Sequence, residues 1–330
     1  MIKVAIAGGT GYTAGELLRI LIRHPHVEIT SILSSSTAGA DVTSFHRDLL
    51  GELDMKFSDK SEFAGALLSA DVVFLCLGHG LSKEFLDEYA LKAGCKIIDL
   101  GNDFRLDERY KDFSFVYGLC DLFRDKVKNA SNIANPGCFA TAILLALSPL
   151  ALAGEIKDEI HIHAITGSTG AGRSLSDSSH FSYRDNNISV YKPFSHQHVP
   201  EIRKNLEILA CREIPQINFV PMRGDFTRGI FASIYTKASE SKEVTYLANY
   251  FREIYKDSPL VVISDKPISL KEVVNTNKAV IHIEKHNGYW HITSAIDNLI
   301  KGASGQAVQN MNLMFGFDEN TSLNLKGSAF

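Results

Sequence analysis

The segment Val4–Ala14, VAIAGGTGYTA, sets a glycine-rich turn directly after an alternating apolar run and directly before an apolar helical one. Gly9, Gly11 and Ala14 satisfy G-x-G-x-x-[GA]. In that position the pattern constrains the fold more than any other feature: it marks the first crossover of a doubly wound parallel sheet whose first helix offers its positive end to a pyrophosphate. A nucleotide would lie against Gly8, Gly9, Thr10, Gly11, Tyr12, Thr13 and Ala14. A glycine turn without a ligand is the competing account, and the strand-to-helix context weighs against it. Up to about residue 138, β-type runs at Lys3–Ala7, Val27–Leu33, Val72–Leu77 and Lys96–Leu100 alternate with helical patterns at Ala14–Arg23 and Leu81–Ala93. That rhythm predicts an α/β Rossmann-type domain.

Where an NAD-binding chain carries Asp or Glu for the ribose 2′-hydroxyl, at the end of the second strand, this one reads Ser34-Ser35-Ser36-Thr37, with no acid from Thr30 to Ala40. An acid would repel a 2′-phosphate, whereas hydroxyls and backbone amides can bond it, so NADP(H) is expected over NAD although no arginine stands there. Gly78 and His79 follow the next apolar strand, at the carboxyl edge where cofactor loops lie. His79 alone reads as a loop hydrogen-bonder rather than a catalyst.

The period then changes. After a helix at about Phe139–Leu147 come strand-like runs at Ile160–Ile165, Asn218–Pro221, Ile230–Thr236 and Val261–Ser264. His286-Asn287-Gly288 sits between Val280–Glu284 and Tyr289–Thr293 as a tight hairpin. These predict an NADP-binding domain at residues 1–138 and an α+β catalytic and dimerisation domain with a mostly antiparallel sheet at 139–303. A last helix near Ser304–Met314 opens a segment, about 304–330, that returns to the first domain.

Composition narrows the partner. With 34 Lys and Arg against 38 Asp and Glu, a net charge of −4 and no basic run, nucleic acid is not expected. The longest apolar stretch, Phe139–Leu152, is too short to span a bilayer and is broken by Pro149, so no membrane is expected either. Cys76, Cys95, Cys120, Cys138 and Cys211 form no C-x-x-C pair, which suits a reducing cytoplasm. A small-molecule ligand is what remains, and a soluble protein without a targeting segment is expected.

Cys138 is the cysteine to single out. Asn135-Pro136-Gly137 makes a turn, and the apolar helix that follows sets the sulfur at its N-terminus, where the macrodipole favours a thiolate. The bland reading, a small core residue, fits Cys76 and Cys95 better. Ser195-His196-Gln197-His198-Val199-Pro200-Glu201 supplies two imidazoles as acid/base partners, with Glu201 placed to orient one of them. The H-x-H spacing, or His161 with His163, could hold zinc, but no third ligand stands at a recognisable spacing, so no metal is expected. Arg105, Arg173 and Arg228 are candidates for an anionic substrate, each weighed against an ordinary solvated arginine.

Taken in order, VAIAGGTGYTAGELLRIL, DFRL, YGL, NPGC, GSTGAGR, HQHVPEI, RGI and DNLIKGASGQAVQNMNLMFG span nearly the whole chain. In these segments it resembles the N-acetyl-gamma-glutamyl-phosphate reductases of arginine biosynthesis, relatives of aspartate-semialdehyde dehydrogenase. The resemblance implies that Cys138 attacks an acyl phosphate, that phosphate leaves, and that NADPH reduces the thioester to an aldehyde, with His196 or His198 as acid/base. It further implies that Arg105 contacts phosphate, that Asn135 lies beside the nucleophile, and that Gly305–Asn310, with Asn310 at its end, returns towards the nicotinamide. A homo-oligomer, dimer or tetramer, is expected.

Two departures bear on the acyl group. Phe139-Ala140 replaces the family's Tyr-Pro, and a longer stretch, Pro221–Ile230, replaces a short Pro-Met-x-Arg-Gly-Ile and adds Arg223. Arg223 either favours an acyl group with its own carboxylate, such as succinyl or the longer acids of lysine biosynthesis, or merely pairs with Asp225. Another semialdehyde dehydrogenase is the main enzymatic rival. A short-chain reductase needs Tyr-x-x-x-Lys, and none of the eleven tyrosines has lysine four residues on. An NADP-binding scaffold or sensor would need a broken nucleophile or base, and here both are present.

Overall fold

The structure, a computed structural model, describes residues 1–78 and 80–328. The chain divides into two compact units: Met1–Pro136 with Ala303–Asn324, and Gly137–Gly302 with the chain from Leu325 onward.

In the first unit, β1 (Ile2–Ala7) leads into α1 (Tyr12–Leu21) and β2 (Val27–Leu33). Helix α1 starts two residues before its apolar periodicity does, and it buries Ala14, Leu17, Leu18 and Leu21, the i, i+3, i+4, i+7 stripe of a core-facing helix. Then follow α2 (Lys60–Leu67), β3 (Val72–Leu75), α3 (Leu81–Glu88), β4 (Lys96–Asp99), β5 (Arg109–Tyr110), β6 (Phe113–Tyr117), α4 (Cys120–Lys128) and β7 (Asn132–Ala134). The sheet runs β2-β1-β3-β4-β7-β6-β5. Every pair is parallel except β5 with β6. The central strands β1 and β3 are buried along Val4–Ala7 and Val72–Leu75 and read there as continuous apolar runs.

The closing helix, Gly305–Met314, lies wholly buried in this unit. Polar side chains tie it down: Ser304 Oγ donates to the Thr13 carbonyl (2.7 Å), and Gln306 Nε2 donates to the Gly118 carbonyl (3.1 Å). His24 Nε2 and Asn312 Oδ1 meet at 2.9 Å.

The second unit opens with α5 (Cys138–Leu152), which is buried on all sides from Phe139 to Ala151 and is therefore a core helix. It does not stop at Leu147 as its sequence predicts. Proline lacks the N–H that would bond the carbonyl four residues back; here that carbonyl, Leu145, accepts instead from the Tyr255 hydroxyl at 2.6 Å. A buried acceptor is thereby satisfied and the helix continues through Pro149. Then come β8 (Ile160–Thr166), the short α6 (Phe181–Arg184), β9 (Ser189–Val190), α7 (His198–Ala210), β10 (Ile217–Arg223), β11 (Ile230–Lys237), α8 (Val244–Ile254), β12 (Val261–Ser264), β13 (Ala279–His286) and β14 (Tyr289–Ile296).

This second sheet runs β12-β13-β14-β11-β8-β10-β9. Four of its pairs are antiparallel, but β8 with β10 and β12 with β13 are parallel, so it is mixed. Parallel neighbours need a long crossover, and α6 and α7 lie on the one joining β8 to β10. The hairpin turns on Asn287 (φ 48°) and Gly288 (φ 80°), the left-handed pair that a two-residue turn requires.

Candidate active site

Crowding explains Gly8 and Gly9 of the first turn. Gly8 has φ 85°, and a Cβ there would run into the Cys76 carbonyl; a Cβ on Gly9 would lie 2.5 Å from Ile32 Cγ2. Gly11 caps α1 with no side-chain hydrogen bond, so the helix's positive end is not taken by a capping oxygen. His46 braces the loop from behind, with Nε2 2.7 Å from the Gly9 carbonyl and its ring where a Gly15 side chain would stand. No motif marks His46, because its role rests on a contact across the fold.

At the end of β2, Thr37 Oγ1 donates to Ser34 Oγ at 2.6 Å. Ser35 lines a pocket with Ala38, Asp59, Lys60 and Ser61. Lys60, a cation that the second strand itself does not carry, stands at the start of α2 and is paired with Glu88 at 2.7 Å. Asp59 is occupied in capping α2, accepting the Glu62 amide at 2.8 Å. Gly78 lies on the loop after β3, and His79 lies outside the described residues.

Arg105 is buried beneath the carboxyl edge of the same sheet, donating through Nε to the Asn135 carbonyl (2.8 Å) and through Nη2 to the Leu100 carbonyl (3.0 Å). Asn135 donates to the Ala303 carbonyl (3.0 Å), and its Oδ1 accepts from Asn310 Nδ2 (3.1 Å). Asn310 also donates to the Gly118 carbonyl (2.9 Å), while its own Oδ1 is buried with no partner. The first unit thus gathers Arg105, Asn135 and Asn310 around the turn that leads to the cysteine.

In the second unit, Cys138 is the first residue of α5 and half-buried. The turn before it is clamped: the Gly137 amide donates to Glu201 Oε1 at 2.9 Å. Glu201, itself buried, sits in the first turn of α7, the helix that His198 begins. The imidazoles of His196 and His198 lie 4.8 Å apart, and the Phe139 ring next to the nucleophile meets them edge-on at 5.4 and 6.2 Å. Gly302 crosses so close that a Cβ would lie 2.8 Å from Cys138 Cβ, a requirement for glycine that no local motif reveals.

The two histidines differ. The His198 amide donates to His196 Nδ1 at 3.2 Å, so that nitrogen is an acceptor and the proton of the neutral ring is on Nε2. Burial, helped by the Lys192 charge, pushes His196 down to about 4 from 6.5 and keeps it neutral at pH 7. Below pH 6.5 the unfolded chain takes up a proton at this ring that the folded chain refuses. Stability at that group is therefore complete above about pH 6.5 and lost as pH falls towards 4. Thermal melting between pH 7 and 4.5 should show a steeper fall in Tm for wild type than for His196→Asn, and parallel curves would assign the titration to another group.

The remaining arginines are dispersed. Arg228 grips the fully buried Asp297 with Nε and Nη2 at 3.0 and 3.2 Å, and Asp297 also accepts the amides of Leu299, Ile300 and Asn275. Arg173 is exposed on the loop past Gly172. Arg223 does not pair with Asp225, whose carboxylate accepts the Asn186 amide at 2.8 Å; its guanidinium lies over the Tyr191 ring, 4.9 Å from the centroid. His161 and His163 stack on Tyr235 at 4.8 and 6.3 Å. Among the described residues no cluster of three or more His, Cys, Asp or Glu could hold a metal, and no helix is long and apolar enough to cross a membrane.

Known proteins match this arrangement along its whole length. Residues 3–130 match the family model of the semialdehyde dehydrogenase NAD binding domain, and residues 138–298 that of the semialdehyde dehydrogenase dimerisation domain. An N-acetyl-gamma-glutamyl-phosphate reductase of Christiangramia forsetii is 50% identical over 330 residues, covering all of both chains. Another, from Flavobacterium johnsoniae, is 51% identical over 332 residues with the same full coverage. Among solved structures, aspartate semialdehyde dehydrogenase II from Vibrio cholerae has a TM-score of 0.72 at 16% identity, covering 96% of this chain and 99% of that one. Aspartate semialdehyde dehydrogenase with NADP from Candida albicans has a TM-score of 0.71 at 16% identity, over 97% and 99%. At such identities the likeness is one of fold.

Proposed function

The chain belongs to the N-acetyl-gamma-glutamyl-phosphate reductase family, and from that premise we propose that it uses NADPH to reduce an N-acylglutamyl phosphate to the semialdehyde, releasing phosphate, in arginine biosynthesis. One observation carries the assignment of roles. The Gly137–Glu201 hydrogen bond fastens the turn that presents Cys138 to the helix that begins with His198, so nucleophile and base are set by one clamp.

His198 is the acid/base. His196 has its Nδ1 committed to a backbone amide and stays neutral, which leaves Nε2–H to donate a hydrogen bond to substrate. His198 takes the thiol proton as Sγ bonds the acyl carbon; the carbon–oxygen bond to phosphate breaks, and the proton leaves with the phosphate. First-turn amides of α5, which have no carbonyl four residues back to bond, are the donors at hand for the tetrahedral oxyanion. Arg105 serves the phosphate. When bound, NADPH supplies the hydride that converts the thioester to the aldehyde level. Cys138 then departs as a thiolate and the aldehyde is free.

The residues present suit that cofactor. The glycine turn admits a pyrophosphate at the N-terminus of α1, and the unpartnered Oδ1 of Asn310 is an acceptor for an amide such as a carboxamide. Ser35 and Lys60 supply a hydroxyl and a cation for a 2′-phosphate. All five cysteines are free thiols, in keeping with a cytoplasmic enzyme. The match of residues 138–298 to a dimerisation domain supports a homo-oligomer built through the second unit.

The assay runs in the oxidative direction, with N-acetylglutamate semialdehyde and phosphate, following NADPH absorbance. NADP should be preferred over NAD by at least about tenfold in kcat/KM, and Lys60→Ala should erase most of that preference. Equal efficiency with both cofactors in wild type would remove Ser35 and Lys60 from the cofactor site.

A further inference from the structure

Among the described residues, two arginines of the second unit, buried Arg184 and half-buried Arg223, have no acidic partner. Arg184, at the end of α6, is 7% exposed, and its Nε and Nη1 are buried without a hydrogen-bond partner. Among the described residues its Nη2 donates to the Asn187 carbonyl at 3.2 Å and to Ser189 Oγ at 3.4 Å. Arg223, at the end of β10, is half-buried; its Nε is buried with no hydrogen-bond partner, its Nη1 reaches Ser178 Oγ at 3.4 Å, and its guanidinium meets Tyr191. Among the described residues neither makes an ion pair. A desolvated cation left with open donors is costly unless an anion completes it.

The pair converges. Ser189, which Arg184 holds by its hydroxyl, is the strand partner of Arg223 in the β9–β10 ladder. Two residues on, Tyr191 lies under the Arg223 guanidinium and packs its ring 5.7 Å from that of His196. Tyr191 thus touches Arg223 on one side and His196 on the other, and burial raises its phenol against the opposing pull of Arg223.

We propose that Arg184 and Arg223 form a seat for a carboxylate at the far end of the substrate's N-acyl group, so that the enzyme takes a dicarboxylic acyl chain in preference to acetyl. This rests on the reductase function proposed above and specifies its substrate. The planar forks of two arginines match one carboxylate, and charge-assisted bonds of this kind are among the strongest a site can offer.

The test compares kcat/KM for N-succinyl- and N-acetylglutamate semialdehyde, with NADP and phosphate, in wild type, Arg223→Gln, Arg223→Lys and Arg184→Gln. Wild type should favour succinyl by about tenfold or more. The succinyl-to-acetyl ratio should fall at least about tenfold in each glutamine variant, through KM for the succinyl substrate, and Arg223→Lys should recover part of it. Preference for acetyl in wild type, or a ratio that does not move, overturns the proposal. Equal weakening of both substrates also overturns it, because the pair would then hold the carboxylate the two share. Oxidation of neither semialdehyde by wild type would remove the reductase function itself, and this proposal with it. Should buried Arg184→Gln fail to fold, the two Arg223 variants carry the comparison alone.

Discussion

Replacing Cys138 with serine is expected to lower turnover by about four orders of magnitude or more, the scale on which enzymes lose rate when their nucleophile is removed. The reason is chemical rather than structural. The attacking species is a thiolate, and a serine hydroxyl in the same place holds its proton far more tightly at neutral pH. Serine is nearly isosteric with cysteine, and Cys138 is half-buried at a helix start, so the fold and its melting temperature should change little. NADP affinity, measured by fluorescence or calorimetry, should stay close to wild type because the glycine turn and Ser35 are untouched. Retention of turnover with labelling of Cys120 or Cys211 by iodoacetamide would place the nucleophile elsewhere.

The second large effect separates the two histidines. His198→Asn should cost about two to four orders of magnitude in kcat, the usual worth of a positioned acid/base group. His196→Asn should act chiefly on KM, because His196 accepts a backbone amide through Nδ1 and is already neutral at working pH. The pH profile provides the check. His198→Asn should flatten the acidic or basic limb that proton transfer imposes on kcat, whereas His196→Asn should preserve it. A flattened limb in His196→Asn with an intact one in His198→Asn would reverse the two roles.

What could be read from the sequence is what depends on neighbours in the chain. The glycine turn is legible because its spacing between an apolar strand and an apolar helix is local, even though what crowds Gly8 and Gly9, Cys76 and Ile32, comes from elsewhere in the chain; Cys138 is legible because a turn followed by an apolar run defines a helix start. The Asn287-Gly288 hairpin is legible for the same reason. Helix α5 runs past the end its sequence predicts because the hydroxyl that lets it pass Pro149 belongs to Tyr255, far along the chain. Strands β5, β6 and β7 have two, five and three residues, too few for a period to register. Lys60 and His46 in the first unit, and Gly302 beside Cys138 in the second, come from other elements and carry no motif. Arg184 looks like any surface arginine until burial strips its Nε and Nη1 of partners. The parallel pairs in the second sheet leave no mark in the sequence either, since alternation reveals which face is buried but not the direction of a neighbour.

The claim beneath all of this is that the acyl group passes through a thioester on Cys138. It is tested by mixing enzyme with semialdehyde and NADP in the absence of phosphate, where the acyl-enzyme forms but has no phosphate to accept the acyl group. A burst of NADPH equal to about one per active site should appear, and mass spectrometry of the quenched protein should find the acyl mass on the peptide that contains Cys138. Turnover in phosphate without any burst in its absence, or an acyl adduct on a different residue, would contradict it.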